Sequence, residues 1–319
     1  MIRSVRPTDF ASFLAFLRRG NDNSAKTGRN LGHQERGLYS VGRFFNEWLS
    51  LDENRYTWID ISRGRIQGLI SVRSRPSPSS WQVDSLILSA EADCQEICSG
   101  LLDYVAAVGG EVGVHKVFLR VQKDSALKEV ARQAGFVPYK AELLYGREAQ
   151  LGPAEAAVTE VWLRPKRPAD DLPLFHLYSA TVPGHVREAE AMTLDEWKAI
   201  TKKDLSLPTQ DISLPAQQEL IMEREGSLVG WLRVRRGRHS NSFDILTLPS
   251  EQGAMNALVA HSLAILDQRR PLYCLLPEYR GDLRRTLEEK GFRLVGEYCS
   301  LVKQLAVRIR QSSLAPARI

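Results

Sequence analysis

The sequence predicts a mixed α/β fold built twice in tandem, each copy a mostly antiparallel mixed sheet with helices on both faces. Three observations predict it. The chain carries a loose copy of itself. Each copy reads as the same order of strands and helices. The 319 residues, 43% apolar and 25% charged, suit two ordinary globular domains, each able to bury its own core. The repeat shows in four places. Arg6-Pro7-Thr8-Asp9 returns as Arg167-Pro168-Ala169-Asp170, and Gly64 and Gly68 return as Gly226 and Gly230. Val83-Asp84 before Leu86-Ile87-Leu88 returns as Phe243-Asp244 before Leu246-Thr247-Leu248, and Gly135-Phe136 returns as Gly291-Phe292. The matches keep their order at spacings of about 156 to 162 residues, the period of a duplicated domain and not of a solenoid. The copies are assigned to residues 1–150 and 160–319, with a linker at 151–159.

In the first copy, residues 2–5 make a short apolar start. Thr8 or Asp9 can cap a helix running to about residue 19, with Phe10, Phe13, Leu14 and Leu17 at helical spacing. Residues 20–37, rich in Gly, Asn and charge, read as a loop, and 38–51 as an amphipathic helix holding Phe44, Phe45 and Trp48. Strands at 56–61 and 66–72 flank a turn at Arg63-Gly64. A Pro/Ser loop at 76–80 leads to a strand at 81–89, a helix at 94–108 and a strand at 116–121 in which Val117, Leu119 and Val121 alternate. A helix at 125–134 stops at Gly135, and 136–145 is extended. The second copy repeats this order: a strand at 160–164, helices at 170–179 and 194–200, and a hairpin of 218–224 with 228–235. A strand at 242–248, a helix at 251–267, a strand at 272–276, a helix at 283–290 ended by Gly291 and a strand-rich 292–308 complete it.

Composition bounds the function. No run of 18 apolar residues could span a membrane, and the opening Met1-Ile2-Arg3-Ser4-Val5 lacks a secretory signal. Four cysteines are too few for a disulfide scaffold, so a reducing cytoplasm is the expected home. Cys94 and Cys98 have no second pair at ligand spacing, the six histidines form no ligand motif, and no metal is expected. No serine sits in a Gly-x-Ser-x-Gly elbow. The net charge of +5 permits an anionic partner without requiring one. The most basic stretch, from Arg233 to His239, reads as a charged edge that resists strand pairing. An RNA contact there is a minor alternative, and no nucleic-acid partner is expected. Trp48, Trp58, Trp81, Trp162, Trp197 and Trp231 are assigned to packing.

Lys116-Val117-Phe118-Leu119-Arg120-Val121, then Ala126-Leu127, Ala134-Gly135-Phe136-Val137-Pro138 and Leu144-Tyr145-Gly146-Arg147, resemble the fifth strand, fourth helix and closing strands of the GNAT superfamily of acyl-CoA-dependent N-acyltransferases. Residues 283–290 with Gly291-Phe292-Arg293-Leu294-Val295-Gly296 resemble them again, so the likeness covers nearly the whole chain as two tandem copies. The resemblance implies that acyl-CoA lies where the fourth and fifth strands splay, its pantetheine held by the fourth strand's backbone near Leu86 and Leu88, and near Leu246 and Leu248. It implies a pyrophosphate at the start of the next helix, where Gln/Arg-x-x-Gly-x-Gly/Ala backbone N–H groups meet the anion.

The first copy places Asp93, Glu96 and Cys98 on that motif, and the second places Ser250, Gly253 and Met255. The pyrophosphate is therefore expected in the second copy, at Ser250, Gly253 and Ala254. The family's helix tyrosine falls on Ala131 and Leu287. Asp84 and Asp244, on the two fourth strands, are the expected bases toward the amine. The reading is an N-acyltransferase using acetyl-CoA or another acyl-CoA on a small-molecule or protein amine. The alternative, drawn from the lost glycines and tyrosines, is a catalytically inactive binding or scaffold protein on the same frame. The residues do not decide the oligomeric state.

Overall fold

The computed structural model describes residues 1–9, 12–13, 15–16, 55–75, 79–89, 94–149, 163–202, 216–237 and 240–306. The linker at 151–159, the loop and helix expected over 20–51, half of the helix expected at 8–19, Trp48 and Trp162 lie outside them.

The repeated residues form the same local devices in each half. Arg3 grips Asp9 with two hydrogen bonds of 2.7 Å, and Arg6 N–H donates to the same carboxylate at 2.8 Å. Arg164 grips Asp170 with two of 2.7 Å, and Arg167 N–H donates at 2.6 Å. Strands β2 (Arg55–Ser62) and β3 (Arg65–Ser74) are joined through Arg63 (φ 50°) and Gly64 (φ 72°). Strands β8 (Ala216–Arg224) and β9 (Ser227–Arg236) are joined through Glu225 (φ 51°) and Gly226 (φ 75°). Positive φ at both central residues is the I′ turn, whose twist matches that of the strands. Gly68 and Gly230 admit a helix close above the sheet: a Cβ there would lie 2.7 Å from Ile97 and 2.9 Å from Leu258.

The other elements are β1 (Ile2–Ser4), β4 (Ser80–Leu88), α1 (Cys94–Glu111), β5 (Lys116–Gln122), α2 (Leu127–Gln133) and β6 (Val137–Arg147) in the first half. The second half adds β7 (Leu163–Pro165), α3 (Asp171–Thr181), α4 (Gly184–Glu190), α5 (Leu194–Lys202), β10 (Asn241–Thr247), α6 (Gln252–Ile265), β11 (Leu272–Pro277), α7 (Gly281–Glu289) and β12 (Arg293–Gln304). Helix α4 had no counterpart in the sequence reading, because Val186 is its one buried residue and a single apolar position shows no period.

The twelve strands of the described residues form one sheet, ordered β1-β2-β3-β4-β5-β12-β6-β11-β10-β9-β8-β7. Only β4 with β5 and β10 with β11 are parallel. The two halves exchange their last strands. The second half's β12 pairs with the first half's β5, and the first half's β6 pairs with the second half's β11. The cores follow. Cys299 and Leu301 of β12 pack with Val117, Leu119, Leu101 and Phe136, whereas Leu143 and Tyr145 of β6 pack with Phe243, Leu258, Cys274 and Leu287. Each half is thus completed by the other. Both edge strands, β1 and β7, are three residues long, which leaves little unpaired backbone at the sheet's ends. Among the described residues, no helix is long and apolar enough to cross a membrane.

Candidate functional site

The parallel pairs stay together only briefly. β4 meets β5 at Ser80–Lys116, Trp81–Val117 and Gln82–Phe118, and then its ladder continues with β3 alone. β10 meets β11 at Asn241–Leu272, Ser242–Tyr273 and Phe243–Cys274, and then continues with β9 alone. Each half therefore has a pair of parted strands. Among the described residues, the edges of β4 beyond Gln82 and of β10 beyond Phe243 have no strand partner on that side. At the first parting, Gln82 Nε2 donates to the carbonyls of Val83 (3.2 Å) and Phe118 (3.3 Å).

Asp84 lies two residues past the first parting and is 7% exposed. Its carboxylate is 3.4 Å from Arg55 and 3.4 Å from Arg73. The ladder skips here: Val83 opposes Val72 and Ser85 opposes Ser71, so Asp84 is the extra residue of a bulge. Strand β10 has no bulge, and Asp244 opposes Arg233 and pairs with Arg235 at 2.7 Å. The two aspartates are therefore near one another in sequence alignment but not in register. Leu86 and Leu88 are fully buried under α1, and Leu246 and Leu248 face the other side of the sheet, toward α3 and α5. Their shared sequence pattern conceals opposite directions, because the bulge shifts the alternation by one.

The helix starts differ as well. Glu96 is exposed in the first turn of α1, Cys98 is buried, and the loop holding Asp93 lies outside the described residues. At α6, Ser250 is exposed on a turn, Gly253 is exposed with open space around it, and Ala254 is buried in the core. Glu251 swings out to Arg224 at 2.6 Å.

The sequence reading missed Arg280. It is 4% exposed and lies between β11 and α7. Its Nη2 donates to Thr247 Oγ1 at the end of β10 (3.0 Å) and lies 3.8 Å from Met255 Sδ in α6. Nε and Nη2 each reach Asp282 at 3.0 Å. Beside it, Gln252, Asn256 and Thr286 link α6 to α7 through hydrogen bonds of 3.0 to 3.1 Å. The signal available was an arginine four residues after an apolar strand, which says nothing about burial.

A second buried polar group joins the halves. Glu142 on β6 accepts from Arg120 at 2.7 and 3.0 Å and from Ser300 of β12 at 2.5 Å. Lys140 lies 3.3 Å from Glu142 and 3.0 Å from Glu190 on α4, and Tyr178 donates to Glu190 at 2.6 Å. Burial pushes the Glu142 carboxyl up, but Arg120 and Lys140 outweigh it and hold the pKa at about 2. Burial pulls the Lys140 ammonium down, yet Glu142 and Glu190 keep it well above the ordinary lysine value. Burial raises Glu190, and Lys140 with Tyr178 bring it below the ordinary value. Lys116 adds to this link by donating to the carbonyls of Ala189 (2.8 Å) and Glu188 (3.1 Å) at the end of α4.

A cavity of about 470 Å³ lies under α3, beside the β8–β9 turn, lined by Asp170, His176, Leu177, Glu223, Leu228 and Leu248 among others. Its two carboxylates are both engaged by Arg164. In the basic hairpin, Arg233 pairs with Glu219 and lies 4.7 Å over Trp231, Arg235 pairs with Asp244, and Arg236 donates to Gln218. These partners leave little of its charge for phosphates. Among the described residues, no group of three or more His, Cys, Asp and Glu side chains is placed to hold a metal ion. Cys98, Cys274 and Cys299 are buried and form no disulfide among the described residues.

No protein-family model matches this sequence, and no curated protein matches it. Solved structures do match the fold. A GCN5-related N-acetyltransferase from Sphaerobacter thermophilus superposes with a TM-score of 0.58 at 14% identity, over 97% of this chain and 98% of that one. A tandem GNAT protein from the clavulanic acid biosynthesis pathway superposes with a TM-score of 0.54 at 11% identity, over 95% of this chain and 98% of that one. The chain adopts the GNAT fold twice in tandem.

Proposed function

We propose that this chain is an acyl-CoA-dependent N-acyltransferase acting on an amine of a small molecule or a protein, with acetyl-CoA the first co-substrate to test. The observation that carries this reading is the parting of β4 from β5 after three residue pairs, on a fold whose solved examples include an N-acetyltransferase. Acyl-CoA, when bound, supplies an activated acyl carbonyl and carries away the thiolate. The chain's own residues do the rest. The edge of β4 from Asp84 to Leu88, which has no strand partner on that side among the described residues, offers backbone groups to an extended pantetheine. A pyrophosphate needs a helix start, either α6 at Ser250, Gly253 and Ala254 or α1.

The amine must be neutral to attack, so its proton must leave. Asp84 is the better placed of the two aspartates. It is buried beside the parting, and its guanidinium contacts are 3.4 Å, against 2.7 Å at Asp244. Asp84 is the group proposed to take the amine's proton. The buried thiols suit a reducing compartment such as the cytoplasm.

A non-catalytic binding frame is the second reading, favoured by the ion pairing of both aspartates. Binding heat and the melting shift with acetyl-CoA, with desulfo-CoA and ATP as controls, separate the two. Saturable micromolar binding supports the transferase, and no binding at millimolar ligand overturns it.

A further inference from the structure

We propose that Arg280 closes the second half's cleft permanently, so that the chain has one acyl-CoA site and it lies between β4 and β5. The assignment of a cofactor rests on the acyltransferase reading, whereas the closure stands on the structure of the second half alone.

The parted strands β10 and β11 would leave a gap between the end of β10, the first turns of α6 and the start of α7. The guanidinium of Arg280 spans that gap. It starts from the β11–α7 loop, bonds Thr247 on β10, touches Met255 on α6 and is held by Asp282 in the first turn of α7. It therefore touches all three elements that would surround a pantetheine. Its charge is matched by Asp282, so the arrangement is complete without a ligand. The Gln252–Asn256–Thr286 hydrogen bonds close the same cleft between α6 and α7. A cofactor entering here would have to break the pairing of a buried guanidinium, which is costly.

The first half has none of these groups at the matching places. The register through Gly68 and Gly230, and through the helix-ending Gly135 and Gly291, fixes the correspondence. Thr247 answers to Leu88, Met255 to Cys98 and Arg280 to Asp124. Leu88 and Cys98 are buried and uncharged, and Asp124 sits on an exposed turn. No guanidinium crosses the first parting from that loop. On this proposal Leu246, Leu248, Ser250, Gly253 and Ala254 meet no cofactor, and the start of α1 receives the pyrophosphate despite Glu96. Glu96 then weakens the binding of acyl-CoA by placing a negative charge in the helix's first turn.

The test has two arms on the full chain. In the first, acetyl-CoA is titrated calorimetrically into the native protein, Glu96→Gln and Gly253→Glu. One site per chain is expected, tightened several-fold by Glu96→Gln and unchanged by Gly253→Glu, whose side chain would enter open space. Two sites per chain, or a tenfold loss with Gly253→Glu, overturns the proposal. In the second arm, amide hydrogen exchange is followed without ligand. Arg280→Leu should speed exchange over residues 245–256 at least tenfold and leave 83–98 unchanged. Arg280→Lys, which keeps the charge but loses the fork, should do so to a lesser degree and serves if the leucine variant does not fold. Unchanged exchange in both variants overturns the closure. A native protein that binds no acetyl-CoA but shows the exchange response loses the acyltransferase reading and the first-cleft site together, and the closure by Arg280 is supported on its own.

Discussion

Lys140 of the first half and Glu190 of the second meet at 3.0 Å beneath helix α4, and the same ammonium is 3.3 Å from Glu142. This contact, with the exchange of β6 and β12, makes the two copies one folding unit. The two halves share a sheet and a buried ionic group, and each draws part of its core from the other.

Separate expression should show this. Residues 1–150 alone would expose Leu143 and Tyr145 and lack Cys299 and Leu301, and residues 160–319 alone would have the converse defect. Each piece is expected to aggregate or remain molten, with a soluble, cooperatively melting species recovered only on co-expression. Size-exclusion chromatography and near-ultraviolet circular dichroism provide the check, and one half melting cooperatively alone contradicts the exchange.

Glu142→Ala leaves Arg120 and Lys140 without their shared carboxylate. Breaking a buried pair on one side costs on the order of 3–5 kcal/mol. Urea unfolding of this variant should fall by that amount, whereas Glu129→Ala, which removes an exposed i,i+3 partner of Arg132, should change stability by less than about 1 kcal/mol.

The pH dependence has a definite sign. The folded pKa values of Glu142 and Glu190 lie below their ordinary values, so their contribution is present above the unfolded pKa of 4.5 and is lost as pH falls through about 2 at Glu142. The urea midpoint should therefore drop steeply as pH falls from about 5 toward about 2. Glu142→Gln should flatten that drop, and an unchanged slope would count against the network.

The repeated glycines should respond differently to alanine. Gly291 has φ +79° with nothing within 4 Å, so Gly291→Ala meets backbone strain alone, about 1–2 kcal/mol. Gly230→Ala would place a Cβ 2.9 Å from Leu258, a packing cost of about 1–3 kcal/mol. In a Leu258→Ala background the second cost should shrink and the first should not, which a double-mutant cycle in urea measures.

For chemistry, Asp84→Asn should lower kcat by about 10²- to 10⁴-fold, the usual weight of a proton-transfer group, with little change in the KM for acyl-CoA. Asp244→Asn should leave both near native values. Equal losses in the two variants would remove Asp84 from its proposed role.

Much of the fold was legible in the sequence because its signals are local. The Arg-Pro-x-Asp starts, the I′ turns at Gly64 and Gly226, and the helix stops at Gly135 and Gly291 each act within a few residues. At those stops Phe136 N–H reaches Ala131 O at 2.9 Å and Phe292 N–H reaches Leu287 O at 3.0 Å, so a single glycine announces the end of a helix. The site was less legible. The matching of Asp84 to Asp244 missed a bulge, because one extra residue in a strand changes direction without changing composition. Arg280 was missed because burial of a charge depends on where its partners stand, and Asp282, Thr247 and Met255 come together only across two helices and a strand.

By itself, the sequence pointed to an α/β protein with the GNAT fold twice in tandem, since the repeated local devices keep their order and spacing. Tertiary structure alone decided that the copies trade their final strands, that Glu142 becomes the centre of a buried network between them, and that Arg280 is buried between β10, α6 and α7. The physical reason is the symmetry of the strand itself. β6 and β12 both carry apolar residues, and which core each strand enters is set by packing partners far away in sequence.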